Sequence, residues 1–457
     1  MARDTVDSTP IEDISTLAET LNAGCKPAED FRIGTEHEKF GFRTRDLTPI
    51  GYEGPDGVEA VLNGMEAILG WERIEDQGKI IGLADPAGGG AISIEPGGQF
   101  ELSGAPLDNL HQTCREANQH LAHVQQVCKP MGVGFLGIGM APTWSRAEMP
   151  VMPKSRYGIM TRYMPKVGSL GLDMMYRTST IQVNLDFTSE ADMVTKMRVG
   201  LALQPIATAI FANSPFTEGK PNGFKSFRAQ IWTDTDKDRT GDMPFAFDDS
   251  FGFERYVEWA VDVPMYFVKR GDVYHDVTGT TFRAFMNGAL DGQIPDARPT
   301  IGDWNNHLST LFPDVRLKKY IEMRGADGGP WRRICALPAF WVGLLYDDGI
   351  LDQAWQLVRD WTQEERALLR AGVPETALET PFRSGRVLDV AKEALSLAQE
   401  GLKRRNRLSD GDLDERVHLA PIEEGLAAGM CPADVLLQRY HGAWNGDLTK
   451  VFQDYAY

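Results

Sequence analysis

The 457-residue sequence has little of what would tie a chain to a bilayer, an exporting compartment or a nucleic acid. Its longest strongly apolar run, Cys335 to Tyr346, contains Pro338 and is too short to cross a membrane as a helix, so it reads as a buried helix. The first residues, Met1 to Asp7, have neither an apolar core nor the Arg-rich, acid-poor character of an organelle transit peptide, and a cytoplasmic protein is expected. Basic residues are outnumbered, 47 Lys and Arg against 65 Asp and Glu, for a formal charge of -18. So acidic a chain argues against a nucleic-acid partner, because phosphate backbones need a basic surface. It leaves room for a nucleotide, since net charge does not report a local cluster of cations. Cysteine is scarce: Cys25, Cys114, Cys128, Cys335 and Cys431 are odd in number, widely spaced and free of CxxC pairs. That pattern predicts neither a disulfide framework nor a zinc site, and it fits a reducing compartment. No repeat, low-complexity segment or Pro/Gly/Ser linker is visible, so a single domain over 1–457 is expected, with 346–457 a mainly helical portion buttressing the core.

What the sequence does have is acid on strands. The stretch Phe31 to Phe42 (FRIGTEHEKFGF) has bulky β-prone ends and glycine punctuation, and on a strand Glu36 and Glu38 share one face. Two carboxylates about 7 Å apart along a strand can each hold a magnesium ion or a bridging water. Taken alone, an ExE pair is more often a solvated face. The same chemistry returns twice, in Ser93 to Ser103 (SIEPGGQFELS), with Glu95 and Glu101 around a Pro-Gly-Gly turn, and in Lys319 to Gly325 (KYIEMRG), with Glu322 and Arg324 on one face. Converging carboxylates repel one another, and a shared cation keeps them ionised together.

Between these runs helix and strand signals alternate. Helical spacing marks Ile11 to Ala23, Val58 to Leu69, Leu107 to Met131 and Ala191 to Phe211, and later Leu351 to Leu369, Arg383 to Arg405 and Ala420 to Tyr440. Trp71 to Ile81 reads as a strand pair broken at Asp76-Gln77-Gly78, and Gly132 to Met140 as a glycine-dotted strand. Gly132-x-Gly134-x-x-Gly137 matches the letters of a dinucleotide fingerprint but lies within that strand instead of opening a helix. Trp144 to Gly168 reads as an ordered surface loop carrying Lys154. Thr180 to Asp186 alternates apolar and polar residues, and its polar face, with Gln182 and Asn184, suits either substrate contact or solvent. Asp234, Asp236 and Asp238 begin like a calcium loop, but the glycine and distal Glu of an EF-hand do not follow. Arg177, Arg228, Arg239 and Arg324 are candidates for anionic oxygens, because a guanidinium fork matches carboxylate and phosphate; each could equally be a structural ion pair.

The blocks RIGTEHEKFGF, SIEPGGQFELSGAPL, IATAIFANSPFTEGKPNGF, IWTDTDKDRTG and EMRGADGGPWRRICALPAFWVGLLYDD together resemble the plant and proteobacterial type of glutamate-cysteine ligase, over about residue 31 to the end. The resemblance implies an α+β fold like the glutamine-synthetase catalytic domain, a curved antiparallel sheet forming a funnel-shaped active site with helices outside. It implies ATP-dependent joining of the glutamate γ-carboxylate to the cysteine amine through a γ-glutamyl phosphate, with L-glutamate, L-cysteine and ATP as small-molecule substrates and Mg²⁺ as cofactor. The implied metal ligands are Glu36, Glu38, Glu95, Glu101 and Glu322, with Gln182 where related enzymes place another ligand. Arg324, Arg177 and Arg228 are the expected catalytic cations, and Gln182, Asn184, Lys154 and Arg239 the expected nucleotide and substrate contacts. Plant members carry a redox-sensitive cysteine pair where Val277 and Asp296 stand here, so that thiol control is not expected. Cys114 and Cys335 lie in shared blocks and are the pair for any other disulfide, buried reduced thiols being the favoured reading. Another carboxylate-amine ligase or a guanidino kinase of the same superfamily remains open at this stage. A non-catalytic amino-acid or nucleotide sensor fits less well, because no metal carboxylate is missing.

Overall fold

Nine strands build one sheet in the computed structural model, which describes residues 6–457. Residues 1–5, part of the stretch read above for a targeting signal, lie outside the described residues. The strands are β1 (Ile33–Arg43), β2 (Glu72–Asp76), β3 (Lys79–Ala84), β4 (Ala91–Ile94), β5 (Phe100–Ser103), β6 (Val133–Leu136), β7 (Thr180–Leu185), β8 (Val315–Leu317) and β9 (Ile321–Asp327). Their spatial order is β8-β9-β7-β1-β5-β4-β3-β2, with β6 joined to the far half of β1. Neighbours run antiparallel throughout. The three acidic runs of the sequence fall on or beside β1, β5 and β9, as the alternation of their residues required.

Alternation also decides which face meets the helices. Ile33, His37, Ile181, Val183, Leu185 and Met323 point to a side where they are buried. Four helices matter to that side: α1 (Leu110–Cys128), α2 (Glu190–Phe211), α3 (Trp331–Leu345) and α4 (Val387–Arg405). Here α2 packs on β9, α3 on β7, and α1 and α4 on α3. Asn109 starts α1 by accepting a hydrogen bond from Gln112 N–H (3.0 Å), and Ser189 starts α2 by accepting one from Asp192 N–H. The apolar run around Pro338 is the buried helix its composition predicts, Cys335 to Leu345 being covered throughout. Among the described residues no single helix is long and apolar enough to cross a membrane.

Three local expectations are corrected. The segment from Trp144 to Gly168 is no surface loop: it contains a helix, Ser155–Tyr163, and Trp144, Met152, Lys154 and Tyr157 are buried. That helix is capped from a distant strand, Asp76 accepting from Ser155 N–H (2.6 Å) and Oγ–H (2.7 Å), a partner that local sequence does not reveal. Two of the late helical stretches are each a pair of helices, Asp348–Val358 with Gln363–Thr376 and Ala420–Ala428 with Pro432–His441. A Thr362–Glu365 capping box restarts the chain in the first pair; left-handed Gly429 (φ 67°) followed by Pro432 separates the second. Finally, Cys114 of α1 and Cys335 of α3 form a disulfide, with Cα atoms 5.3 Å apart, so the reading of reduced thiols fails. The two helices follow β5 and β9, and their packing brings together residues 221 apart in sequence. Cys25, Cys128 and Cys431 are free.

Candidate active site

The sheet's other face is a band of charge set by strand register. Across β8, β9, β7, β1, β5 and β4, Arg316 lies opposite Glu322, Glu322 opposite Asn184, Gln182 opposite Glu36, Glu38 opposite Glu101, and Glu101 opposite Ser93. Cross-strand partners share a face, so one side of six strands carries nearly all the predicted acids. Glu95 joins them from the turn after β4. Gly98 N–H donates to the Glu95 carbonyl (2.9 Å) with Gly98 in the left-handed region (φ 80°), and a side chain on Gly97 would collide with the Tyr176 carbonyl.

The acids face a cavity lined by Glu36, Glu38, Glu95 and Glu101, by Gln182, and by Arg156, Arg228, Arg316 and Arg324. Tyr157, Met175, Trp232 and Phe312 give it apolar walls. Each carboxylate is held. Ser93 and Ser103 hydroxyls donate to Glu101 (2.7 and 2.9 Å), Tyr157 to Glu95 (3.1 Å), Thr180 N–H to Glu38 (3.1 Å) and the Asn184 amide to Glu36 (3.0 Å). Glu322, fully buried beneath the cavity, is gripped by Arg316 through both oxygens (2.6 and 2.8 Å) and by Arg324 (2.8 Å).

This arrangement divides the acids by charge state. Burial, together with Glu322 and Glu101, pushes the Glu36 carboxyl up, and burial with Glu95 and Glu101 pushes Glu38 well above the carboxylate range despite Arg228. Burial would raise Glu322 too, but Arg316, Lys318 and Arg324 hold it well below. Glu36 and Glu38, crowded carboxyls driven toward neutrality, suit a divalent cation with hard oxygen ligands.

A sequence model described as glutamate-cysteine ligase family 2 (GCS2) matches residues 32–454. The chain belongs to that family. Among curated relatives, the chloroplastic glutamate-cysteine ligase of Solanum lycopersicum is 56% identical over 98% of this chain and 86% of its own length. The Arabidopsis thaliana enzyme is 58% identical over 96% and 81%. A crystal structure of glutamate-cysteine ligase from Francisella tularensis aligns with a TM-score of 0.52 at 11% identity, covering 93% of this chain and 89% of that one, which bears on the fold alone. As a member of the glutamate-cysteine ligase family, the chain is an enzyme that joins glutamate to cysteine, the first step of glutathione biosynthesis. The expectation of a cytoplasmic enzyme is overturned, because relatives matching nearly the whole chain are chloroplastic.

Not every residue singled out in this ligase's sequence reaches the cavity. Arg177 is buried in an ion pair with Asp173 (2.7 Å) and a second with Glu218 (2.9 Å), on the helix before β7. Arg239 is buried between Asp236 (2.6 Å), the Pro264 carbonyl (2.5 Å) and the Tyr266 ring. Both hold structure together and neither lines the cavity. Asn184 positions Glu36, and Lys154 lies against the Tyr157 ring at the edge of a neighbouring cleft. Gln182 and Arg324 do line the cavity, joined by a 2.8 Å hydrogen bond. Sequence reading missed Arg316, Tyr157 and Ser93. Arg316 had a visible signal, a lone base alternating with Val315 and Leu317, whereas Ser93 depends on the strand set opposite it and Tyr157 on the docking of its helix against Ile94 and Glu95.

Proposed function

We propose that this cavity couples ATP-driven phosphorylation of the glutamate γ-carboxylate to attack by the cysteine amine, with magnesium held by Glu36, Glu38, Glu95 and Glu101; Glu322, expected as a fifth ligand, has its oxygens taken by Arg316 and Arg324 beneath the cavity and anchors those arginines instead. The observation that carries the reading is the register that sets Glu38 against Glu101 and Glu36 beside Gln182 on one cavity-facing surface. Bound there, magnesium would neutralise phosphate charge, the main demand of phosphoryl transfer beyond positioning.

The chain's own groups account for the rest. Arg324, fixed by Glu322 and Gln182, and Arg228, buried with its Nε–H unpartnered, present guanidinium donors to anionic oxygens. Arg316 neutralises Glu322 from below and keeps that carboxylate oriented. Ser93, Ser103, Tyr157 and Thr180 fix the carboxylates before substrate arrives, so little reorganisation is left for the reaction. The polar residues lining the cavity are acids, amides, hydroxyls and arginines, and none is a serine or cysteine beside a histidine base, which favours an acyl phosphate over an acyl-enzyme.

Glutamate labelled with ¹⁸O in its γ-carboxylate tests the order of events. Turnover with cysteine is expected to deliver label to inorganic phosphate. Label in AMP would mean adenylation and would end this reading.

A further inference from the structure

The cysteine pair has a neighbour that the ligase chemistry does not use. A ring nitrogen of His418 and the sulfurs of Cys114 and Cys335 all lie within 4.8 Å of one another. The three come from separate elements packed together: α1, α3 and the 3-10 turn Glu415–Leu419. His418 is also oriented. Its Nε2 lies 3.1 Å from Nδ1 of His111, whose Nε2 faces the Arg407 carbonyl at 3.4 Å. With His111 donating to that carbonyl, its Nδ1 accepts from His418 Nε2–H, which leaves a lone pair on His418 Nδ1. Fixing an imidazole through a hydrogen bond from its second nitrogen is how metal-binding histidines are held. His111 and Cys114 share one face of α1 at i, i+3 spacing, so the orienting ring and the first sulfur come from the same helix turn.

We propose that reduction of the Cys114–Cys335 bond creates a binding site for a borderline divalent cation of the zinc type, with both sulfurs and His418 as ligands and water in the fourth position. A dithiol reductant gives two electrons and two protons to the disulfide, leaving two thiols and its own disulfide. The cation then displaces both thiol protons and binds two thiolates. Thiolate and imidazole select such an ion over magnesium, so this site is chemically separate from the glutamate cluster. A modest rotation of the cysteine side chains supplies the spacing, since two thiolates on a tetrahedral ion sit roughly 3.7 Å apart at Zn–S distances of about 2.3 Å. Disulfide and metal are thus alternative clamps between the helix after β5 and the helix after β9.

The test uses Co²⁺ on the full-length protein, reduced with a phosphine and freed from it under argon. Reduced wild type should develop a thiolate-to-cobalt charge-transfer band, saturating at one equivalent per chain and bleached by Zn²⁺, while the oxidised protein should develop none. His418→Ala should weaken cobalt binding by at least about tenfold while still forming the disulfide on oxidation, which reports that it has folded. Cobalt on the glutamate cluster gives no thiolate band and does not interfere. Absence of the band in reduced wild type, or a His418→Ala titration matching wild type, overturns the proposal.

Discussion

Glu38 and Glu101 stand directly opposite each other on neighbouring antiparallel strands, a position where like charges destabilise a sheet. Burial and the neighbouring Glu95 and Glu101 drive Glu38 toward its neutral form, a cost that a bound cation would remove.

Glu38→Gln should therefore separate stability from activity. Without divalent cations the variant is expected to gain about 1 kcal/mol, read as a rise in melting temperature of roughly 1–2 °C. With magnesium, glutamate, cysteine and ATP its turnover should fall at least about 10²-fold. Loss of both stability and turnover would show that Glu38 serves the fold and not the ion.

The arginines divide in a parallel way. Arg239→Met leaves buried Asp236 without its cation, at a cost of roughly 3–5 kcal/mol in denaturant unfolding, and Arg177→Met, which leaves Asp173 the longer contact with Arg146 (3.5 Å), should cost less. Protein that remains folded should keep a near-normal KM for ATP. Arg324→Met leaves Glu322 paired with Arg316, so its unfolding midpoint should move little while turnover drops by about 10²-fold.

Reduction of the Cys114–Cys335 bond under metal-free conditions should lower the unfolding free energy by about 2–4 kcal/mol. Cys335→Ser should match the reduced wild type and respond no further to reductant. Equal stability of oxidised and reduced protein would mean that helix packing alone holds α1 against α3.

Acid sensitivity has a local source in His307. Burial, only partly offset by the 2.8 Å contact of Nε2 with the Ala260 carbonyl, lowers this histidine from 6.5 to about 3. Its folded value lies below its unfolded one, so the unfolded chain binds the extra proton. The stabilisation is complete above about pH 6.5 and is lost as pH falls toward 3, at about 1.4 kcal/mol per pH unit. In urea titrations between pH 6.5 and 4.5, His307→Gln should show a shallower loss of stability than wild type. An unchanged slope would assign the acid sensitivity to other groups.

Strand identity and the common face of Glu36 and Glu38, and of Glu322 and Arg324, were legible in the sequence, because side chains on a strand alternate with a period of two wherever the strand lies. The long helices were legible too, Val58–Leu69 to the residue, because their apolar spacing and end signals are local. The polar row of β7 was ambiguous between substrate and solvent, and only the pairing of β7 with β1 and β9 put Gln182 and Asn184 into a buried band. Arg177 and Arg239 show the same limit from the other side. A guanidinium suits a phosphate or an aspartate equally well, and which it meets depends on residues that folding brings near. Local sequence sets periodicity and charge; the tertiary fold decided that Glu38 faces Glu101 and that Cys114 reaches Cys335, because register and helix packing join positions that no local interaction connects.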